Sequence, residues 1–85
     1  MSAIDHLIRL SADYAQATGV ETTTVSWRLF GDSKKLGAII EGADIQVRRL
    51  ERAIQWLSDQ WPPGTEWPAG VVRPPARSDE GTEAA

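Results

Sequence analysis

The sequence predicts a small all-α domain followed by an extended, proline-rich segment. Apolar residues recur at spacings of three and four in four successive stretches, which is the period of an amphipathic helix. Glycines separate the first stretches, and all five prolines lie after Trp61. A chain of 85 residues has the length of one small domain.

The first helix is predicted over residues 2–18. Ser2 is a suitable N-cap, and Asp5, three residues later, can complete a capping box. Gly19 is expected to end the helix, because glycine adopts the left-handed conformation at low cost. The residues at helical spacing that should face the core are Ile4, Leu7, Ile8, Ser11, Tyr14, Ala15 and Thr18.

Two shorter helices are predicted over residues 22–30 and 33–41. The first of these is expected to pack through Val25 and Leu29 and to end at Gly31. Its start contains three threonines and a valine, which are poor helix formers, so tertiary packing must hold it.

The third helix is expected to begin at Asp32 or Ser33 and to end at Gly42. Three apolar residues should face inward from it: Leu36, Ile39 and Ile40. Gly37 weakens the middle of this helix by about 1 kcal/mol relative to alanine. A glycine at that position therefore predicts a close contact with a neighbouring helix.

The fourth helix is predicted over residues 45–61, with Asp44 as its cap. Pro62 and Pro63 should end it, because proline lacks an amide hydrogen and clashes with the preceding turn. The inward positions, at alternating spacings of three and four, are Val47, Leu50, Ile54, Leu57 and Trp61. The other face combines three arginines with two apolar residues: Ile45, Arg48, Arg49, Arg52 and Trp56.

The helical part of the chain is therefore expected to span residues 1–61. Residues 62–77 are too rich in proline for a helix and are expected to run extended. Three apolar residues of this segment should pack back on the helices: Trp67, Val71 and Val72. Alternatively, the segment is a peptide ligand for an aromatic groove in another protein. Residues 78–85 are small and acidic, which predicts a disordered tail.

The composition argues against several functional classes. The chain contains no cysteine, so disulfides, thiolate metal sites and cysteine nucleophiles are excluded. Its single histidine, His6, falls near the polar side of the first helix, and neither an HExxH nor a DxDxDG pattern is present. The seven glycines form no phosphate-binding loop. We therefore expect no enzyme activity, no metal or other cofactor and no small-molecule substrate.

The predicted location is the cytoplasm, and no membrane partner is expected. No apolar stretch of the sequence approaches the roughly 20 residues that a membrane-spanning helix requires. The first residues also lack the basic start and the apolar centre of a signal peptide.

Charge is unevenly distributed along the chain, whose formal net charge is −3. Six basic and four acidic residues lie between Trp27 and Arg52, whereas residues 62–85 contain two basic and four acidic ones. An even spread of negative charge would argue against nucleic-acid binding. Most of the excess negative charge lies instead in the C-terminal segment, and the middle of the chain is net basic.

Residues 15–29, AQATGVETTTVSWRL, resemble the helix-turn-helix signature of bacterial and phage repressors, including the lac-repressor type. Ala15 matches the small residue where two helices cross, and Gly19 matches the glycine whose positive φ makes the turn. Val20 matches the apolar turn residue, and Val25, six positions after the glycine, matches the anchor of the second helix. The string Thr-Val-Ser around Val25 is often seen in the recognition helix of such proteins.

The sequence departs from this signature at three places. Trp27 stands where arginine usually follows Thr-Val-Ser, and Arg28 is displaced by one position. A second apolar anchor is expected three residues after Val25, but Arg28 occupies that position, so Leu29 must serve as the anchor. Glu21 occupies the position where serine or threonine commonly caps the recognition helix.

The resemblance implies a sequence-specific DNA-binding protein, a transcriptional regulator or phage-type control protein, with helix 22–30 in the major groove of double-stranded DNA. The base-reading residues would be Thr22, Thr23, Thr24, Ser26 and Trp27. The phosphate-binding residues would be Arg28, Lys34 and Lys35. A domain of this size usually binds half of a palindrome, which implies a homodimer. The basic face of the fourth helix is then the candidate dimer face or a further phosphate-binding surface.

A second hypothesis is a protein–protein interaction adaptor. Trp27, Trp56 and the Trp-Pro pairs of the C-terminal segment would then be exposed aromatic anchors. The negative net charge and the four tryptophans favour this hypothesis, whereas the spacing within residues 15–29 favours DNA binding.

Overall fold

The computed structural model describes residues 2–74, which form four α-helices and no strand. The helices are α1 (Ala3–Thr18), α2 (Thr22–Phe30), α3 (Lys35–Ile40) and α4 (Val47–Asp59). The predicted all-α class is confirmed for this part of the chain, and every helix bound lies within two residues of its predicted position. The predicted disordered tail, residues 78–85, lies outside the described residues.

α1 begins and ends as the sequence predicts. The Ser2 hydroxyl accepts a hydrogen bond from the Asp5 amide (3.1 Å), and the Asp5 carboxylate accepts one from the Ser2 amide (3.2 Å). Gly19 ends the helix in the left-handed conformation, with a φ of 73°, and its amide donates to the Ala15 carbonyl. The capping box and this glycine thus fix both ends of the helix that precedes α2.

The core lies where the four helices meet. Its buried apolar residues come from every helix and from Trp61: Leu7, Leu10, Tyr14, Val25, Leu36, Ile39, Leu50, Ala53, Leu57 and Trp61. Tyr14 packs edge to face on Trp56, with ring centroids 5.6 Å apart, and its ring centroid lies 6.4 Å from that of Trp61. These aromatic contacts join α1 to the C-terminal half of α4 and to Trp61, which follows that helix.

None of the helices within residues 2–74 combines the length and the apolarity of a membrane span. The longest, α1, has 16 residues, whereas a helix that crosses a bilayer needs about 20.

Two predictions about the start of α4 are wrong. Val47 was expected to face the core but is 66% exposed, because the buried stripe of α4 begins one turn later, at Leu50. Asp44 was expected to cap the helix, but the N-cap is Gln46, which makes no side-chain capping hydrogen bond. The chain therefore enters α4 two residues later than the sequence predicts.

α3 is shorter than predicted, and its glycine is not a contact point. The Asp32 carboxylate accepts a hydrogen bond from the Lys34 amide (2.8 Å), which holds a turn before the helix begins. A Cβ placed on Gly37 would meet no atom within 4 Å, so the expected close approach of a neighbouring helix is wrong. Ile40, the last residue of α3, was expected to face inward but is 47% exposed.

The C-terminal segment returns to the core through Trp67 and Val71, both of which pack against it. The Trp67 ring lies edge to face on Trp61 at a centroid distance of 4.8 Å. Its indole N–H donates to the Val71 carbonyl (2.7 Å), and the Trp61 indole N–H donates to the Thr65 carbonyl (2.9 Å). The two indole groups thereby close two tight loops of the segment.

Arg73 fastens the end of the described segment to α4. Its guanidinium donates to the Ser58 hydroxyl (3.1 Å) and to the Ser58 carbonyl (2.9 Å), and it lies 5.0 Å from the ring centroid of Trp67. The Ser58 hydroxyl in turn donates to the Pro74 carbonyl (3.0 Å). Val72, which was expected to pack, is instead 86% exposed.

Candidate functional site

Two buried side chains hold the inward face of α2. Val25 and Ser26 are both 0% exposed. The Ser26 hydroxyl donates to the Asp32 carbonyl and accepts a hydrogen bond from the Leu36 amide (2.9 Å). One side chain thereby joins the middle of α2 to the turn before α3 and to α3 itself.

The expected base-reading role of Ser26 is wrong, because its side chain is buried and its hydroxyl is used inside the protein. A rotation of 100° per residue places position 26 on the same side of the helix as Val25 and Leu29. A hydroxyl is suited to this buried position because the turn before α3 leaves a carbonyl and an amide that need partners. The position of Ser26 along the helix already indicated that its side chain faces inward. Its polar side chain suggested an exposed residue instead.

The outward face of α2 consists of Thr23, Thr24, Trp27 and Arg28. These residues form two pairs spaced by four, and such pairs are neighbours on a helix surface. Trp27 is 61% exposed, whereas the other three tryptophans are buried or half-buried. Thr23 is exposed, Thr24 is half-buried, and Thr22 is exposed at the start of the helix. Four of the five predicted base-reading residues are therefore accessible at least in part.

Arg28 extends from this face toward α1. One of its terminal guanidinium nitrogens, Nη1, donates to the Tyr14 hydroxyl at 3.0 Å. Tyr14 is otherwise buried in the core, so the bond ties the exposed end of the arginine to a fixed point. No pattern in the sequence indicated this contact, because it joins residues fourteen positions apart.

A shallow depression lies at the turn between α1 and α2. Its lining comes from the end of α1 and the start of α2: Ala15, Gln16, Val20, Glu21, Thr22 and Thr23. Glu21 is the N-cap of α2, but its side chain makes no capping hydrogen bond. Thus α2 begins without the side-chain cap that serine or threonine supplies at this position.

A second depression lies between the starts of α3 and α4. It brings together two basic residues that were predicted to belong to phosphate-binding or dimer surfaces, Lys35 and Arg49. It is lined by Lys35, Asp44, Ile45, Gln46 and Arg49. The Arg49 guanidinium also lies 5.7 Å from the ring centroid of Phe30, the last residue of α2. Neither Lys35 nor Arg49 forms an ion pair with another described residue. Lys34, which precedes Lys35 in the sequence, is exposed.

The expected grouping of apolar and basic residues on one exposed face of α4 is wrong in part. Ile45 and Trp56 are half-buried and pack against the core. Trp56 lies inward because it fills the space beside Tyr14. Arg48 and Arg52 are exposed, so these two arginines are accessible, whereas the two apolar residues are not on the same exposed face.

Comparison of the chain with family models, with curated proteins and with solved structures found no match. The assignment of a function to this site therefore depends on its residues and their geometry.

Proposed function

We propose that this protein binds double-stranded DNA through α2 in the major groove and acts as a transcriptional regulator. The observation that carries the proposal is the contrast between the two sides of α2. Val25 and Ser26 fix its inward side, whereas Trp27 and Thr23 are exposed on its outward side. A helix held in this way can present side chains to base edges. In such a protein α1, the turn at Gly19 and α2 would form a helix-turn-helix.

The proposed base-reading set is smaller than the sequence implied. It contains Thr22, Thr23, Thr24 and Trp27, since Ser26 is buried. Threonine hydroxyls can bond to base edges or phosphates, and short side chains allow the helix to lie deep in the groove.

Cations around α2 support this proposal because phosphate contacts fix the register of a reading helix. Arg28 and Lys34 are exposed, and Lys35 shares a depression with Arg49. We assign these four residues to the DNA backbone. The hydrogen bond from Arg28 to the Tyr14 hydroxyl restricts the position of the guanidinium, which supports this assignment.

The proposal includes a homodimer, because a single domain of this size usually binds half of a palindromic site. Val47 is 66% exposed, and Arg48 and Arg52 are exposed on the same helix. We therefore propose α4 as the candidate surface for the second subunit or for further phosphates. Ile45 and Trp56 are excluded from this surface because they pack against the core. A bacterial or phage regulator of this kind would act in the cytoplasm.

The exposure of Trp27 favours a second candidate function, a protein–protein adaptor. Tryptophan is a common anchor residue at protein interfaces. Trp56 and Trp67 pack against the core of this protein, so Trp27 would have to supply most of the aromatic contact. An adaptor would use the same face of α2 but would have no affinity for DNA.

Titration of fluorescently labelled duplex DNA at several salt concentrations tests the proposal. Thr23→Ala should weaken binding to a duplex selected from a random-sequence library by about 1–3 kcal/mol, because the threonine side chain no longer reaches its base. Lys34→Ala and Lys35→Ala should weaken binding to all duplexes alike and should reduce the salt slope by about one unit each.

Arg9→Ala is the matched control for the lysine variants. Arg9 is an exposed cation of α1 that lies beside Gly70 and Val71 of the C-terminal segment. Its removal lowers the net charge by the same amount and should leave the salt slope nearly unchanged. If the wild-type protein binds no duplex even at low salt, DNA binding is ruled out and the adaptor becomes the leading function.

A further inference from the structure

The outward face of α2 lacks most of the side chains that read bases by paired hydrogen bonds. Guanine is usually read by arginine or lysine, and adenine by asparagine or glutamine, through two hydrogen bonds to one base. Thr23, Thr24 and Trp27 have no such pair of donors and acceptors. Among the four residues of this face, Arg28 has the two donors that such a pair of hydrogen bonds needs. One of its terminal nitrogens, however, is already bonded to the Tyr14 hydroxyl.

Trp27 is instead the largest apolar group that α2 exposes. Its side chain is 61% exposed, and its indole carries a single N–H donor. Guanine O6, purine N7 and thymine O4 can all accept that hydrogen bond, so the N–H gives little discrimination between bases. The apolar area of the ring can discriminate, because the thymine C5-methyl group is the apolar feature of the major groove.

We propose that Trp27 is a specificity-determining residue that recognises thymine through its C5-methyl group. This inference rests on the proposed function, since it assigns the base that α2 selects. Thr23 and Thr24, four and three positions before Trp27, are its neighbours on the same face of the helix. Contact between the indole and a thymine methyl removes apolar area from water.

Deoxyuridine gives a direct test, because uracil differs from thymine only in lacking the methyl group. The first probe is a duplex that the wild-type protein selects from a random-sequence library. The second is the same duplex with deoxyuridine in place of every thymidine. The wild-type protein should bind the uracil duplex about fourfold more weakly for each methyl group that the indole covers, which corresponds to one buried CH₂-sized group.

The variant Trp27→Ala identifies the residue responsible. It should bind the thymine duplex about tenfold or more weakly than wild type, and its affinities for the two duplexes should be equal. The variant should fold, because Trp27 is mostly exposed and alanine has the highest helix propensity. If circular dichroism shows that the alanine variant is unfolded, Trp27→Ser makes the same test, because serine has neither a large apolar surface nor the two-atom hydrogen-bonding group of an amide. Trp27→Phe keeps an aromatic ring and should keep part of the discrimination.

Val72→Ala is the control, because Val72 is an apolar residue that is 86% exposed and lies in the C-terminal segment, outside α2 and outside the proposed subunit surface of α4. It should retain the wild-type ratio of affinities for the two duplexes. Equal binding of both duplexes by the wild-type protein would overturn the inference and leave DNA binding intact. Full discrimination by Trp27→Ala would also overturn it and would assign methyl recognition to other groups. Failure of the wild-type protein to select any duplex would overturn the proposed function and this inference together.

Discussion

Two buried serines of this protein differ in what their hydroxyl groups bind. The Ser26 hydroxyl bonds to the Asp32 carbonyl and the Leu36 amide. The Ser11 hydroxyl, also buried, has no hydrogen-bond partner among the described residues. Removal of a buried group costs most when its partners remain behind without bonds. The same substitution should therefore have different effects at these two positions.

Ser26→Ala should lower the free energy of unfolding by about 1–3 kcal/mol, because it leaves a buried amide and a carbonyl without their partner. Ser11→Ala should leave stability unchanged or raise it slightly, since no bond is broken and a desolvated hydroxyl is removed. Chemical denaturation of both variants measures the difference. Equal losses at the two positions would contradict the hydrogen-bond assignment of Ser26.

The capping box at the start of α1 predicts a pH dependence. The Ser2 amide, and then the Ser2 hydroxyl, stabilise the ionised carboxylate and hold the pKa of Asp5 below its ordinary value. A carboxyl whose pKa is lowered in the folded state stabilises the protein above its unfolded-state pKa. That stabilisation is lost as the pH falls through the lowered folded-state value.

Ser2→Ala should therefore raise the pKa of Asp5 toward the ordinary aspartate range, because the hydroxyl bond is removed. The carboxyl carbon shift of Asp5, followed by NMR as a function of pH in both proteins, gives the two midpoints. Superimposable Asp5 titration curves would show that the Ser2 hydroxyl has no part in the shift.

At the scale of the helices, the sequence predicted the number and position of the elements because their signals are local. Apolar spacing and terminal glycines define α1 and α2 within a few neighbouring residues. Which face of a helix is buried depends on distant partners instead. Trp56 lies inward because of Tyr14, and Ser26 lies inward because of the turn before α3. The exposed residues of the candidate site on α2 could therefore be predicted, whereas one of its expected members lies in the core.

Gly19 and Gly37 differ in whether the backbone conformation requires glycine. Gly19 has a positive φ of 73°, and Gly37 lies inside α3 with open space around its Cα. Gly19→Ala should destabilise the protein by about 1 kcal/mol, because alanine must adopt the left-handed conformation. Gly37→Ala should stabilise it by about 0.5–1 kcal/mol, because it reduces the entropy of the unfolded chain. Thermal unfolding of both variants checks the opposite signs of the two stability changes. Destabilisation of the protein by Gly37→Ala would contradict the open space at Gly37 and would support the close helix contact expected from the sequence.

At the scale of the whole molecule, stability depends on contacts that sequence patterns do not encode. A helical part of about 60 residues buries a modest share of its surface and is marginally stable by itself. Trp67 and Val71 add to its core, and Arg73 fastens the segment to Ser58. The composition of the segment indicated that it would not be helical. It did not indicate which tryptophan or arginine would contact α4, because those contacts join residues far apart in the sequence.

Truncation after Pro63 should lower the free energy of unfolding by about 2 kcal/mol or more, because it re-exposes the surfaces that Trp67 and Val71 cover. Truncation after Pro74 removes none of the described contacts and is the control. Trp67→Ala in the full chain should produce much of the same destabilisation, whereas Val72→Ala should have no effect, since Val72 is 86% exposed. An unchanged melting temperature after truncation at Pro63 would instead identify the segment as a linker or a peptide ligand, the alternative left open by its sequence.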